Sequence, residues 1–171
     1  MLQLISLLLL AFSFFLIRTS IPSLPAVIPT HFNAAGVANG WGSPNTLWLL
    51  LSAQALTCAV FLVVPYVGRQ FPGGVHFGSR RISDFPAAQR PRLLAILNQM
   101  AACLSIAINL FFVLMLREII HEAKQRVPHF HPRGMMLFLL GVMPALLVFY
   151  FWRFQRAASS GGDDTSDDIK P

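Results

Sequence analysis

Leu47–Val67 reads LWLLLSAQALTCAVFLVVPYV, twenty-one residues inside a stretch that carries no charge between Arg18 and Arg69. At about 1.5 Å per residue, a helix of this length covers the ~30 Å hydrocarbon core of a bilayer. Lipid offers no water to backbone N–H and C=O groups, so such a run must satisfy them internally, as a helix. Pro65 lies near its far end, where a break costs little. Three further runs have the same character. Met1–Ile17 is ended by Arg18, Leu93–Leu116 lies between Arg92 and Arg117, and Gly134–Trp152 lies between Arg133 and Arg153. The first run is near the short end of the spanning range. It lacks the basic start and the small-x-small cleavage site of a signal peptide, so it reads as a spanning helix. Pro144, in the middle of the fourth run, should kink that helix and free a carbonyl. The expected fold is an all-α integral membrane protein with four transmembrane helices and a structured Pro/Gly-rich loop between helices 1 and 2.

The composition agrees. Of 171 residues, 55% are hydrophobic and only 12% are charged, and mean hydropathy is +0.61. Soluble domains carry about 25% charged residues. The apolar content excludes a disordered chain, and the length speaks against two soluble domains. The net charge of +6 comes from residues flanking the runs. There it orients helices and meets anionic lipid rather than nucleic acid. Cys58 and Cys103 fall inside runs and outside any CxxC or Cys/His cluster, so they read as small apolar packing residues.

The third run carries a polar stripe. Asn98, Ala102, Ser105 and Asn109 are spaced 4, 3 and 4 apart and share one helix face. Amides on a spanning helix need partners, so this face should meet protein. A leucine at Ala102 should then disturb packing more than one at Ala107, about 140° round the helix. Ser52, Ala55 and Ala59 in run two, and Gly134, Gly141 and Ala145 in run four, form candidate small faces for it. The stripe reads either as helix packing or as the lining of a cavity. No Asp, Glu, Lys, Arg or His lies inside any run, so an ion or proton relay has no evident carrier.

Three segments follow from these runs. Residues 1–67 form a helix–loop–helix with its loop over 21–46. Residues 68–152 hold a basic loop and a second helix pair. Residues 153–171 are expected to form a disordered acidic C-terminal tail, with SSGGDDTSDD as its acidic part. Asp84 ahead of Phe85-Pro86 reads as the cap of the third helix. Glu122 and Arg126, four apart, can pair on a helical extension that Pro128 ends. With both termini cytoplasmic, eight Lys and Arg lie inside and five outside. The positive-inside rule favours that orientation in a multi-pass protein of the cell membrane. Loop one would then face outward.

Loop one is denser in constrained residues than a connector needs. Pro22, Pro25 and Pro29 hold the chain extended. His31-Phe32-Asn33 alternates polar groups around an aromatic, and Gly36 follows. Asn39-Gly40 is a turn dipeptide suited to positive φ, and Trp41 suits an interface anchor. Ser43-Pro44 reads as the cap and first residue of helix 2. A stiff loop close to the bilayer should fold back on the bundle, with His31 and Asn33 supplying partners to backbone groups.

The stretch LPAVIPTHFNAAGVANGWGS resembles the LPxxIPxHFNxxGxxDxWGSK signature of the bacterial membrane family called domain of unknown function sixteen forty-eight. That domain is also similar to the N-terminal part of SdpI-type toxin-immunity proteins. The agreement covers Leu24, Pro25, Ile28, Pro29, His31, Phe32, Asn33, Gly36, Trp41, Gly42 and Ser43. It is strong over about residues 5–66 and looser beyond Gly68. Two departures remove charge: Asn39 stands where the family has Asp, and Pro44 where it has Lys. An SdpI-type protein has a further helix pair, so the immunity role does not carry over by name. The resemblance implies a motif loop built on Pro25, Pro29, His31, Phe32, Asn33, Gly36, Asn39, Trp41 and Gly42.

His31 and Asn33 are the leading site candidates, either for a peptide or protein ligand at the outer face or for shaping the loop. His31 alone cannot hold a metal. His121, His129 and His131, with Glu118 and Glu122 nearby, form a second group, which by default is a wet, titratable loop. No catalytic or nucleotide-binding motif occurs, and no cofactor is implied. The reading is a non-enzymatic membrane protein that senses, binds or confers tolerance through its outward HFN loop. The alternative is a small transporter or membrane-embedded enzyme that uses the polar stripe of Asn98, Ser105 and Asn109. Oligomeric state is left open.

Overall fold

The structure, a computed structural model, describes residues 2–33, 35–77, 80–125 and 133–159, without the side chains of Pro72, Phe77 and Arg133. The expectations for Arg126, Pro128, His129, His131 and the tail beyond Ser159 fall outside the described residues, and the expected tail is corrected at its start, since residues 153–159 continue the last helix. Four helical spans, Leu2–Ser23, Pro44–Gln70, Arg90–Glu122 and Gly134–Ser159, are long and apolar enough to cross a membrane. Their helices are α1 (Leu2–Ser20), α2 (Leu47–Gln70), α3 (Arg90–Glu122) and, in the fourth span, α4 (Arg133–Leu137) followed by α5 (Met143–Ser159). The protein is thus an all-α, multi-pass membrane protein. Two small antiparallel pairs decorate its connections: β1 (Ile28–Phe32) with β2 (Ala38–Gly42), and β3 (His76–Phe77) with β4 (Arg80–Arg81).

The long helix α3 is the axis of the bundle, with α1, α2 and α5 packed against it. Its burial is therefore not confined to one stripe. Ala101, Ala102, Ser105, Ala107, Asn109 and Val113 are all buried. The expected contrast between Ala102 and Ala107 is corrected here: a helix with neighbours on several sides has no single inward face.

The helices are inverted relative to a soluble bundle. On α1 the buried residues are Ser6, Ser13, Ile17 and Ser20, whereas Leu4, Leu8 and Phe15 are about 60% exposed. Lipid is as apolar as leucine, so burying leucine between spanning helices gains little, and small residues allow close approach. Two expected small faces are nevertheless not used. Ser52 and Ala59 are exposed and Ala55 is half-buried; α2 turns Leu47, Gln54 and Cys58 inward instead. Gly134, Gly141 and Ala145 are exposed as well, and α5 seats Tyr150, Phe154 and Ala157. The Phe154 end of the bundle is closed by aromatic packing, such as Phe85 edge-on to Phe154 at 6.1 Å.

The prolines act in different ways. α2 continues through Pro65 to Gln70 without ending. Ahead of Pro144 the helix widens into a π turn over Phe138–Val142, in which the Met143 N–H reaches the Phe138 carbonyl. This wider turn is how the chain absorbs the missing proline N–H. Asp84 does not cap α3. Its carboxylate accepts from the Arg81 N–H at 2.8 Å, within a 3₁₀ turn over Ile82–Asp84. α3 begins at Arg90, whose guanidinium instead clamps that turn through the carbonyls of Phe85 (2.9 Å) and Ser83 (2.8 Å).

Candidate functional site

The loop between α1 and α2 folds into a hairpin. Its register pairs Ile28 with Gly42, Pro29 with Trp41, His31 with Gly40 and Phe32 with Ala38, with irregularities on either side of His31. Pro29 has no N–H to give a ladder, and an interrupted register accommodates it. The reversal lies at Asn33–Val37. The Asn33 N–H bonds the Val37 carbonyl at 2.9 Å, and the Gly36 N–H bonds the Asn33 carbonyl at 2.9 Å. The Asn33 side-chain oxygen accepts from the N–H groups of Ala35 and Val37, both at 3.0 Å. Gly36 takes φ 77°, where a side chain would be strained.

Asn39-Gly40 is consequently not the turn. Both residues lie in β2, because Asn33 and Gly36 together satisfy the reversal earlier in the chain. Gly40 has a different duty. A Cβ there would stand 2.8 Å from the His31 Cβ, so only glycine lets β2 lie flat against β1 at that point.

One side of the hairpin is anchored. Ile28 is fully buried in a cluster with Ile17 of α1, Leu47 of α2 and Leu116, Ile119 and Ile120 of α3, and Leu24 and Phe32 pack against it. Pro29 is also fully buried. Burying an isoleucine contributes about 1.5–3 kcal/mol, so the hairpin is fixed to three helix ends at once. Ser43 accepts from the Asn45 N–H at 3.3 Å and caps the 3₁₀ turn Pro44–Thr46 that leads into α2.

The other side is open. Thr30, His31, Asn39 and Trp41 are exposed, Trp41 to 56%. His31 Nδ1–H donates to the Asn39 side-chain oxygen at 2.5 Å. Asn39 is therefore the partner of His31. Below the hairpin, a cavity of about 310 Å³ is lined by Pro29, Thr30, Leu49, Leu50, Met115 and Ile119 among others. The motif residues thus divide by role. Asn33 and Gly36 make the turn, Gly40 and Gly42 allow close approach, Pro29 and Phe32 anchor, and His31, Asn39 and Trp41 face outward, with Pro25 exposed beside them.

The stripe on α3 divides too. Ser105 and Asn109 are fully buried and Asn98 is only half-buried. Ser105 Oγ donates to Ser6 Oγ at 2.9 Å, and Asn109 Nδ2 donates to the Ser105 carbonyl at 2.8 Å. The Cys58 thiol donates to Asn109 Oδ1 at 3.1 Å. Gln54 Nε2 donates to the Asn109 carbonyl at 3.5 Å, while its own Oε1 and the Ser13 hydroxyl are buried without a partner. Asn98 lies apart, lining a separate cavity with Arg69, Arg90 and Leu94. Sequence reasoning found Ser105 and Asn109 but missed Ser6, Ser13 and Gln54. The signal was available: Ser6 and Ser13 are two turns apart in a run whose only other polar side chain is Gln3, and Gln54 is the one amide in run two.

His121 is exposed and lies 3.4 Å from the Gln125 amide nitrogen, and Glu122 is buried. Among the described residues no three His, Cys, Asp or Glu side chains converge as a metal site.

Residues 7–54 match the model of one protein family, the domain of unknown function (DUF1648). The match takes in α1 from Leu7 onward, the whole hairpin and the first two turns of α2. Neither a curated protein nor a solved structure matches the chain.

Proposed function

With residues 7–54 taken as that domain, we propose that this membrane protein is a non-enzymatic receptor or tolerance factor. Its hairpin binds an amphipathic peptide or small protein at the outer face of the cell membrane. The observation that carries this reading is the two-sided hairpin. Ile28 and Pro29 fix it to three helices, while His31, Asn39 and Trp41 are held outward on a surface with little conformational freedom left to lose. A preorganised surface binds with less entropic cost. The neighbouring 310 Å³ apolar cavity suits the apolar side of such a ligand, and the His31–Asn39 pair suits its polar side. Both termini are cytoplasmic in this reading, on the strength of the eight-to-five distribution of Lys and Arg.

Transport or membrane catalysis along the stripe has weaker support. Ser105 donates to Ser6 of α1, and Asn109 accepts from the Cys58 thiol of α2 while its amide donates within α3, as packing residues do.

The test separates side chains that shape the hairpin from those that face outward. His31→Ala with Trp41→Ala should leave detergent melting and membrane abundance unchanged and abolish complementation of the deletion phenotype. Asn33→Ala should instead lower stability by about 1 kcal/mol, through the two N–H groups it leaves without an acceptor. Full complementation by the His31/Trp41 variant would overturn the proposal.

A further inference from the structure

At the opposite end of the bundle, α3 and α5 enclose a cavity of about 520 Å³. Its walls include Arg92, Gln99, Phe149, Trp152, Arg153 and Arg156. We propose that this cavity holds the phosphate of one anionic phospholipid, with the acyl chains running down the outer faces of Phe149 and Trp152.

Three observations carry the assignment. The first is how the cations are held. Arg153 donates to Gln99 Oε1 at 2.8 Å, and Arg156 lies over the Trp152 ring at 5.4 Å from its centroid. An amide and an indole orient the guanidinium groups without neutralising them, so their charge stays available. The second is order along the axis. α3 enters the bundle at this end and α5 leaves it. Arg92 lies in the first turn of α3. Arg156 and Arg153 follow in the last two turns of α5, and Phe149 lies deeper. Phe149 to Arg156 spans about 10 Å of helix, with charge at one end and an aromatic surface at the other. That is the polarity of a lipid entering from the side. The third is exposure: Phe149 is 50% and Trp152 55% exposed, on a helix whose main neighbour among the long helices is α3. Basic pockets between spanning helices bind lipid phosphates in this way on the cytoplasmic side, and guanidinium groups match phosphate oxygens in pairs. A free phosphate would need no such aromatic ledge.

The test uses the full chain in nanodiscs containing equal phosphatidylglycerol and phosphatidylcholine, with retained lipid counted by native mass spectrometry. Phosphatidylglycerol should be enriched over its share of the bilayer. Arg153→Gln with Arg156→Gln should lower that enrichment about tenfold or more, with unchanged melting. Arg153→Lys with Arg156→Lys should lower it less than the Gln pair, since the charge remains but the paired guanidinium contact does not. Arg69→Gln with Arg80→Gln, at the same end but outside the cavity, should change it little. The proposal is overturned by any of three results: no enrichment in the native chain, equal enrichment in the double Gln variant, or displacement of the lipid by millimolar inorganic phosphate, which would mark a free-anion site. If the double Gln variant does not fold, the single variants Arg153→Gln and Arg156→Gln decide, since unchanged enrichment in both with normal melting would equally exclude the site.

Discussion

Gly40 shows how one residue can be read correctly as important and wrongly as to cause. Beside Asn39 it has the composition of a turn, yet it lies mid-strand, opposite His31. What demands glycine there is a 2.8 Å approach to the His31 Cβ, not a positive φ. Gly40→Ala should therefore destabilise the protein by about 1–3 kcal/mol, as overpacking does. Gly73→Ala, where a Cβ meets nothing within 4 Å, should change stability by no more than about 0.5 kcal/mol. Thermal melting of the two variants in detergent checks this, and equal melting would remove the close-approach explanation. Asn33 and His31 likewise separate only in three dimensions. Both are polar, both sit in the motif, but one bonds its own backbone and the other bonds Asn39.

Among the elements, α3 departs most from a one-faced helix. Its polar stripe was legible because Asn, Ser and Asn at helical spacing are costly in lipid unless they meet protein. Its other buried residues were not, since alanine is equally at home against lipid or against a helix. Leucine substitutions separate the two environments. Ala102→Leu and Ala107→Leu, each buried to within 6%, should each cost about 1–3 kcal/mol. Ala59→Leu and Ala145→Leu, on exposed faces, should leave melting nearly unchanged. Tolerance at Ala107 matched by damage at Ala102 would restore the one-faced helix.

For the whole molecule, the two ends have different chemistry. The hairpin closes one end over Ile17, Leu47 and Leu116, and the turn at Ile82–Asp84 closes the other over Leu93, Ile96 and Phe154. Between them lies the hydrogen-bonded layer of Ser6, Cys58, Ser105 and Asn109. Residues 40 and 80 sit on opposite ends of the bundle. A reporter active only outside the cell should be active when fused at 40 and silent at 80. The reverse pattern would invert the orientation and move the hairpin to the cytoplasmic side. Activity at both or at neither would contradict four spans.

Length and charge spacing were enough to determine the four spans, because a bilayer of fixed thickness admits only helices that close their own hydrogen bonds. The cap at Ser43-Pro44 was legible for the same local reason: its bonds reach only a few residues along the chain. The faces of α2 and α5, the site of the hairpin turn, the partner of His31 and the π turn before Pro144 were decided by tertiary structure. In lipid, apolar patterning no longer distinguishes inside from outside, since leucine is stable on either side. Which face packs is left to small polar groups such as Ser6, Gln54 and Cys58, whose partners lie about fifty residues or more away in sequence. Only the folded chain brings them within bonding distance.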